Sequence, residues 1–231
     1  MTTNTRIVLA ARPQGPAGLE HFRLETVALE PLQEGQVRER HHYLSLDPYM
    51  RGRMNEGKSY AAPQPLNEVM IGGTVGEVIE SRHPRYTPGD WVVGMGGWQQ
   101  IGVVDANQVG ALHKVDPTHV PLSHYLGAVG MPGVTAWYGL VRIIDPQPGQ
   151  TVTVSAASGA VGSAVGVLAK ARGCRVVGIA GGPDKCAYVR EELGFDDCID
   201  HRRYPDYLAL AQALKAACPQ GIDGHFENVG G

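Results

Sequence analysis

The stretch TVTVSAASGAVGSAVGVLAKARG, Thr151–Gly173, decides the fold of the second half of the chain. Its alternating threonine and valine residues predict a strand, the small residues predict a tight turn, and a run with helical spacing follows. Ala156, Gly159 and Gly162 spell A-x-x-G-x-x-G, a dinucleotide fingerprint with alanine in place of its first glycine. The alternative is a strand–turn–helix in which the small residues serve packing alone.

A pyrophosphate needs close backbone approach and free N–H groups at a helix N-terminus. We expect Gly159 to permit that approach and Gly162 to let the helix pack tightly on the strand. Ala160 and Val161 would offer backbone N–H groups. Ala156 can replace the first glycine if its φ is negative.

Strands and helices alternate with short connections after residue 121, a pattern typical of a parallel βαβ sheet. Four strands are predicted there, and a complete two-mononucleotide sheet has six. Short strands between Gly, Pro and Asp turns fill the first 120 residues and predict a small, barrel-like β domain. We therefore expect an α/β chain with a β-rich domain at 1–124 and an incomplete, doubly wound dinucleotide-binding domain at 125–231.

The composition is that of a globular protein, with 43% hydrophobic and 19% charged residues. A net charge of −3 favours neither nucleic acid nor an anionic membrane as a partner. The four cysteines, the first of them Cys174, form no C-x-x-C pair, and no apolar run reaches membrane-spanning length. These features predict a soluble cytoplasmic protein without disulfides.

The end of the second predicted strand bears on the cofactor. NAD sites usually place a carboxylate about 20 residues after the fingerprint, to bind the ribose 2′-OH. Here that position reads IAGG, Ile179–Gly182, followed by Asp184 beside Lys185. Arg202 and Arg203 follow the third strand. A glycine gap flanked by basic groups suits a 2′-phosphate, so NADPH is the expected cofactor.

Four motifs together carry a family resemblance: AASGAVG, GMPGVTAWYGL (Gly130–Leu140), LSLDPYMRGRM (Leu44–Met54) and FENVGG (Phe226–Gly231). With them the chain resembles the zinc-independent medium-chain dehydrogenase/reductases that reduce activated double bonds, among them prostaglandin, alkenal and curcumin-type reductases. The resemblance implies a GroES-like domain followed by a Rossmann domain and a homodimeric protein. It also implies that the last Rossmann strands are absent, so that the chain is C-terminally truncated.

The resemblance assigns roles to individual residues. Lys185 matches a lysine that binds the 2′-phosphate, and His201 stands where the family usually has a tyrosine. Asn228 matches the asparagine of the FDNVGG motif near the cofactor. Met131 and Thr135 match the segment beside the nicotinamide.

Tyr49 matches a tyrosine on the substrate side of the family's active site. It could donate a hydrogen bond to an enolate or supply the proton, because a phenol with a pKa near 10 is protonated at neutral pH. The alternatives are a packing role for its ring, or a proton donor in the segment that the resemblance implies is absent.

No metal site is expected, because MIGGTVGEV (Met70–Val78) lacks the G-H-E segment of zinc alcohol dehydrogenases and no cysteine precedes Cys174. Without a metal, reduction of an alkene needs a conjugated carbonyl to take up the charge. The expected function is therefore reduction of enones or enals, with hydride to the β-carbon and a proton to the α-carbon. A non-catalytic NADPH-binding protein and a quinone oxidoreductase remain alternatives.

Overall fold

Two compact units, Met1–Leu126 and Gly127–Gly231, divide the chain. The structure, a computed structural model, describes residues 3–57 and 61–230. Gly231, the last residue of the FENVGG motif, lies outside the described residues.

Short antiparallel strands build the first unit, as its glycine-punctuated sequence predicts. A two-stranded sheet pairs β1 with β2, and a five-stranded sheet has the order β6-β3-β4-β5-β7. A five-residue helix, α1 (Tyr49–Arg53), follows β3. The strands are β1 (Thr3–Leu9), β2 (Phe22–Ala28), β3 (Gln36–Leu44), β4 (Thr74–Ser81), β5 (Trp91–Gly94), β6 (Ile101–Asp105) and β7 (Leu112–Lys114).

The stretch at 90–104 forms two strands separated by a turn. β5 ends at Gly94, and Gly97 in the connection has a φ of +78°, a left-handed conformation that glycine adopts without strain. β6 then pairs with β3 on the far side of the sheet.

The five-stranded sheet buries charge as well as apolar surface. Val37, Val78 and Val92 form its fully buried apolar centre. Glu39 on β3 is also fully buried, with one carboxylate oxygen 3.2 Å from Nε2 of His41. The imidazole Nδ1 lies 2.7 Å from the carbonyl oxygen of Gln99, which fixes the ring in place. Neither carboxylate oxygen of Glu39 nor Nε2 of His41 makes a hydrogen bond among the described residues, so the two groups lie close together without satisfying one another.

The second unit begins with helical segments and continues with alternating strands and helices. A 3₁₀ turn at Leu122–Leu126 ends the first unit, and α2 (Met131–Trp137) opens at a Gly130-Met131-Pro132 start. A π-helical segment, Tyr138–Ile144, continues it. The remaining elements are β8 (Thr151–Val154), α3 (Ala160–Ala171), β9 (Arg175–Ala180), α4 (Pro183–Glu191), β10 (Asp197–Asp200), α5 (Tyr207–Ala217) and β11 (Gly224–Phe226).

All four strands of the second unit are parallel, in the order β10-β9-β8-β11. This 3-2-1-4 arrangement is the order of the first four strands of a Rossmann sheet. Val176 on β9 packs in one apolar cluster with Val165 of α3 and Val189 of α4. The neighbouring Val177 packs in another cluster, with Leu214 of α5. Helices therefore cover both faces, which confirms the predicted doubly wound parallel sheet.

All four cysteines are buried free thiols in the second unit. Burial raises the pKa of Cys174 and of Cys218 above the ordinary value, which keeps both protonated at neutral pH. Among the residues that the structure describes, every helix is too short or too polar to cross a bilayer.

Candidate functional site

The turn between β8 and α3 is held by backbone hydrogen bonds. Ala157 N donates to Ile179 O of the neighbouring strand at 3.1 Å, and Gly159 N donates to Ala156 O at 2.8 Å. Ser163 N then makes the first helical bond to Gly159 O at 2.9 Å. The chain thus leaves the carboxyl end of β8 and enters α3 within five residues, so that the helix N-terminus lies at the sheet edge.

Ala156 departs from the condition that the sequence set for it. Its φ is +45°, whereas an alanine can replace the first fingerprint glycine without strain only if its φ is negative. The condition for this substitution is therefore not met, and the alanine is one of three non-glycine residues with a positive φ among those that the structure describes. A left-handed conformation costs a non-glycine residue about 1–2 kcal/mol, and the surrounding hydrogen bonds maintain it here.

The two fingerprint glycines differ in how much space surrounds them. A Cβ on Gly162 would lie 2.4 Å from Ala156 O and 3.0 Å from Ala157 Cα, both of them backbone atoms. A Cβ on Gly159 would lie 3.1 Å from the same oxygen, its single near neighbour. Gly162 therefore lets α3 approach the turn closely, and Gly159 leaves the surface of the turn open.

The first turn of α3 offers backbone donors at this edge. Gly159 is its N-cap, with extended backbone and no side-chain capping bond, and Ala160 and Val161 are the first helical residues. Because the first N–H groups of a helix have no partner within it, they are available to an anion. This matches the predicted role of Ala160 and Val161, which stays a proposal.

A cavity of about 490 Å³ lies at the carboxyl ends of the parallel strands in the second unit. It brings together three of the predicted site residues, Gly159, Lys185 and His201. The turn after β8, the end of β9 and the segment after β11 supply the remaining walls. Ligands of open α/β sheets bind at this edge, where the strand order reverses.

The end of β9 forms the basic side of the cavity. A Cβ on Gly181 would lie 2.9 Å from both Nε2 of His201 and Nε of Arg202, so these two side chains overhang the glycine. Lys185, in the first turn of α4, lines the same cavity. Arg203 lines a different cavity of about 410 Å³ instead. The sequence predicted both arginines as basic groups flanking the glycine gap, without indicating that only Arg202 lines this cavity.

Asp200 keeps this basic edge in shape. Its Oδ1 accepts hydrogen bonds from Gly182 N at 2.8 Å and from Arg202 N at 3.1 Å. The Gly182 hydrogen bond is the main reason that the pKa of Asp200 is lowered. The carboxylate is thus bound to the backbone at the turn, and it borders the neighbouring cavity.

Asn228 joins the segment after β11 to the end of β8 by hydrogen bonds. Its backbone N donates to Ser155 Oγ at 2.7 Å and its side-chain amide donates to Ser155 O at 3.0 Å. The hydroxyl of Ser155 donates in turn to Glu227 Oε1 at 2.7 Å. Ser155 and Glu227 line the cavity, and sequence reasoning missed both. The available signal was their position at the carboxyl ends of two strands that a 3-2-1-4 sheet makes neighbours.

Met131 and Thr135, predicted beside the nicotinamide, lie on α2 and are exposed. The Thr135 hydroxyl donates to Met131 O at 2.8 Å, one turn back in the same helix. Neither residue lines the cavity at the sheet edge. Their assigned role therefore still rests on the resemblance.

Tyr49 lies in the first unit, at the start of α1. Its ring is partly buried against a cluster that includes Met50, Met54 and Met70. Arg51 on the same helix donates to Gly15 O at 3.0 Å from Nε and to Asn55 Oδ1 at 2.7 Å from Nη1, and so braces the neighbouring loop. The packing role proposed for the tyrosine ring is compatible with these contacts, and its catalytic role stays a proposal.

Within residues 3–57 and 61–230 there is no group of three or more His, Cys, Asp or Glu side chains that could hold a metal ion. A catalytic zinc needs three protein ligands of these kinds.

Comparison with known protein families gives two matches. Residues 5–112 match a family described as the N-terminal domain of oxidoreductase, and residues 160–231 match one described as zinc-binding dehydrogenase. The chain is 49% identical over 230 residues to the NADPH-dependent curcumin reductase of Escherichia coli, covering 99% of this chain and 64% of that protein. It is 42% identical over 213 residues to prostaglandin reductase 1 of Oryctolagus cuniculus, covering 91% of this chain and 57% of that protein.

Solved structures give the same picture. The structure of CurA from Vibrio vulnificus superimposes with a TM-score of 0.88 at 47% identity, covering 99% of this chain and 65% of that one. The structure of the same protein in complex with NADPH gives a TM-score of 0.87, covering 98% of this chain and 65% of that one. The chain thus spans a little under two thirds of the length of these relatives. The likeness confirms the expected fold, a GroES-like domain followed by a Rossmann-type domain.

Proposed function

Because the chain belongs to the medium-chain dehydrogenase/reductase family, in its zinc-independent reductase branch, we propose that it binds NADPH and reduces carbon–carbon double bonds. The observation that carries the proposal is the cavity at the sheet edge. It joins the turn of a dinucleotide fingerprint to Lys185 and His201. Support comes from relatives named NADPH-dependent curcumin reductase and prostaglandin reductase 1, and from the structure of CurA in complex with NADPH.

The residues present fit NADPH. Any side chain at Gly162 would collide with the backbone of the turn, so α3 packs closely on it, and the N-terminal donors of α3 would bind a pyrophosphate at the sheet edge. Lys185, His201 and Arg202 supply cationic or hydrogen-bonding groups at one edge, where a 2′-phosphate would lie. Asn228, Met131 and Thr135 are proposed for the nicotinamide side by resemblance.

We further propose that the substrates are α,β-unsaturated ketones or aldehydes. NADPH, when bound, supplies the hydride that the β-carbon receives. Tyr49 would donate a hydrogen bond to the carbonyl oxygen, where negative charge develops, or deliver the proton to the α-carbon. In this scheme residues 1–124 serve the substrate and residues 125–231 serve the cofactor. A homodimeric state and a cytoplasmic location are proposed on the same resemblance.

Steady-state oxidation of NADPH in the presence of a panel of small enones and enals tests this function. We expect turnover that depends on the enone, with reduction of the double bond and retention of the carbonyl in the product. Saturable NADPH binding without turnover on any of them would favour a non-catalytic NADPH-binding protein. Turnover with quinones alone would favour a quinone oxidoreductase.

A further inference from the structure

The segment that follows β11 is folded around one carboxylate. Glu227 Oε1 accepts hydrogen bonds from the backbone N of Val229 and, at 3.0 Å, from the backbone N of Gly230. The same oxygen accepts the Ser155 hydroxyl at 2.7 Å. These groups come from two strand ends that are 72 residues apart in sequence. One oxygen atom thus organises the turn at 227–230 and ties it to β8.

The same hydrogen-bond network includes Asn228, which the resemblance places near the cofactor. Ser155 Oγ, while donating to Glu227, accepts the backbone N–H of Asn228 at 2.7 Å. The Asn228 side-chain amide is used as well, donating to Ser155 O at 3.0 Å. The position of Asn228 therefore depends on a hydroxyl whose direction is fixed by the carboxylate of Glu227.

The second oxygen of Glu227 is held from β11. Its Oε2 lies 3.1 Å from Nε2 of His225, and the other ring nitrogen lies 2.8 Å from Oγ1 of Thr153. Because an ionised carboxylate can only accept, Nε2 carries the hydrogen, and in the neutral ring the threonine hydroxyl donates to Nδ1. The Ser155 hydroxyl above all, with Val229 N–H and His225, lowers the pKa of Glu227 to about 2.

We propose that Glu227 is a positioning residue for NADPH, acting through the turn at 228–230 and through Asn228. Glu227, Val229 and Gly230 all line the cavity at the sheet edge, so the shape of its wall follows from the hydrogen bonds of this carboxylate. The inference rests on the proposed function, since it assumes that the cavity takes NADPH.

The charge of Glu227 and its role in positioning the turn should have opposite effects on the affinity for NADPH. A negative carboxylate on the wall of a cavity that receives a polyanion repels it, so removal of the charge alone should tighten NADPH binding. Loss of the acceptor should loosen the turn and weaken binding. An amide in place of the carboxylate keeps the shape and one acceptor oxygen. It removes the negative charge from the hydrogen bonds at that oxygen and places an NH₂ group against Nε2 of His225, which is itself a donor. The sign of the effect therefore separates the two accounts.

The experiment compares the Kd for NADPH of the unmodified chain with that of Glu227→Gln, by fluorescence titration. We expect Glu227→Gln to raise the Kd by about tenfold or more, as for loss of hydrogen bonds to a charged group. Glu192→Gln is the matched control, because it makes the same charge change at an exposed residue at the end of α4. Its Kd should stay within about twofold of the unmodified value. Glu227→Asp keeps the charge and the acceptors, and it should bind more tightly than Glu227→Gln.

An unchanged or lowered Kd for Glu227→Gln would overturn the inference, and so would a Glu227→Asp variant that binds no better than Glu227→Gln. A purely structural role would lower the melting temperature of the ligand-free chain and leave the Kd unchanged, which also counts against it. If Glu227→Gln does not fold, Ser155→Ala decides: a raised Kd supports the inference and an unchanged Kd overturns it. Failure of the unmodified chain to bind NADPH would overturn the proposed function and the inference with it.

Discussion

The two turns that follow β8 and β9 occupy equivalent places in successive βα units, yet they are built differently. The turn after β8 is shaped by the backbone, with a left-handed Ala156 and a Gly162 that admits no side chain. The turn after β9 is shaped by side chains, with His201 and Arg202 lying over Gly181. A pyrophosphate is recognised mainly by backbone N–H groups, whereas a 2′-phosphate needs cationic side chains. The first turn would thus bind any dinucleotide, and the second would select NADPH.

The largest expected effect tests the backbone-built turn. Gly162→Val places a branched side chain where even a Cβ would lie 2.4 Å from Ala156 O, and backbone cannot move aside cheaply. We expect it to lower the free energy of unfolding by about 3 kcal/mol, the upper end of the usual cost of overpacking. Urea denaturation followed by circular dichroism measures this.

Gly159→Ala is the control for that variant. Its φ is −80°, and its new Cβ would have one neighbour at 3.1 Å, so the cost should stay below about 1 kcal/mol. Equal costs for the two variants would show that close packing of α3 on the turn does not depend on Gly162.

Substitutions at the turn after β9 should change the preference for NADPH over NADH and leave the stability of the fold largely unchanged. Lys185→Ala and Arg202→Ala are each expected to raise the Kd for NADPH about tenfold and to leave the Kd for NADH nearly unchanged, since only NADPH carries the 2′-phosphate. Arg203→Ala is the control, because Arg203 lines the neighbouring cavity. Equal losses for Lys185→Ala, Arg202→Ala and Arg203→Ala would mean that general charge attraction, and not this edge, favours NADPH.

Acid should weaken the turn after β9 and the segment after β11, because each is held by a carboxylate with a lowered pKa. Ser155 above all lowers the pKa of Glu227 to about 2, and the backbone N–H of Gly182 lowers that of Asp200. Carboxyls with pKa values below those of the unfolded chain stabilise the fold above about pH 4.5, and this contribution is lost as the pH falls towards 2. Urea denaturation at a series of pH values should show a shallower loss for Glu227→Gln and Asp200→Asn. The same slope in the variants would contradict it.

The smallest expected effect concerns Ala156. Ala156→Gly removes the cost of a left-handed alanine but adds freedom to the unfolded chain, so the net gain in stability should be at most about 1 kcal/mol. A small rise in melting temperature is the expected result. A clear loss of stability would mean that the methyl group makes packing contacts that outweigh the backbone strain.

The sequence predicted the parts of this unit that depend on short-range patterns. Strand and helix periodicity predicted the parallel sheet, and glycine spacing predicted the turn at Gly159. In the structure this turn lines the same cavity as Lys185 and His201. The positive φ of Ala156 was not predicted, because residue type alone does not determine a backbone conformation that the turn imposes.

Long-range contacts were the harder part. Ser155 and Glu227 meet only because β11 lies beside β8, and no local pattern reports a contact across 72 residues. Arg202 and Arg203 are adjacent in the 3₁₀ turn at His201–Arg203, yet they line different cavities, and residue type does not report which side each arginine faces. The buried contact between Glu39 and His41 in the first unit was likewise not predicted from the sequence.

We propose that the sheet edge of the second unit selects NADPH through the turn after β9. Titration of the unmodified chain with NADPH and with NADH, under identical salt and pH, tests it most directly. We expect a Kd for NADPH at least about tenfold lower than that for NADH, because NADPH alone makes charged hydrogen bonds through its 2′-phosphate. Equal Kd values, or tighter binding of NADH, would contradict it.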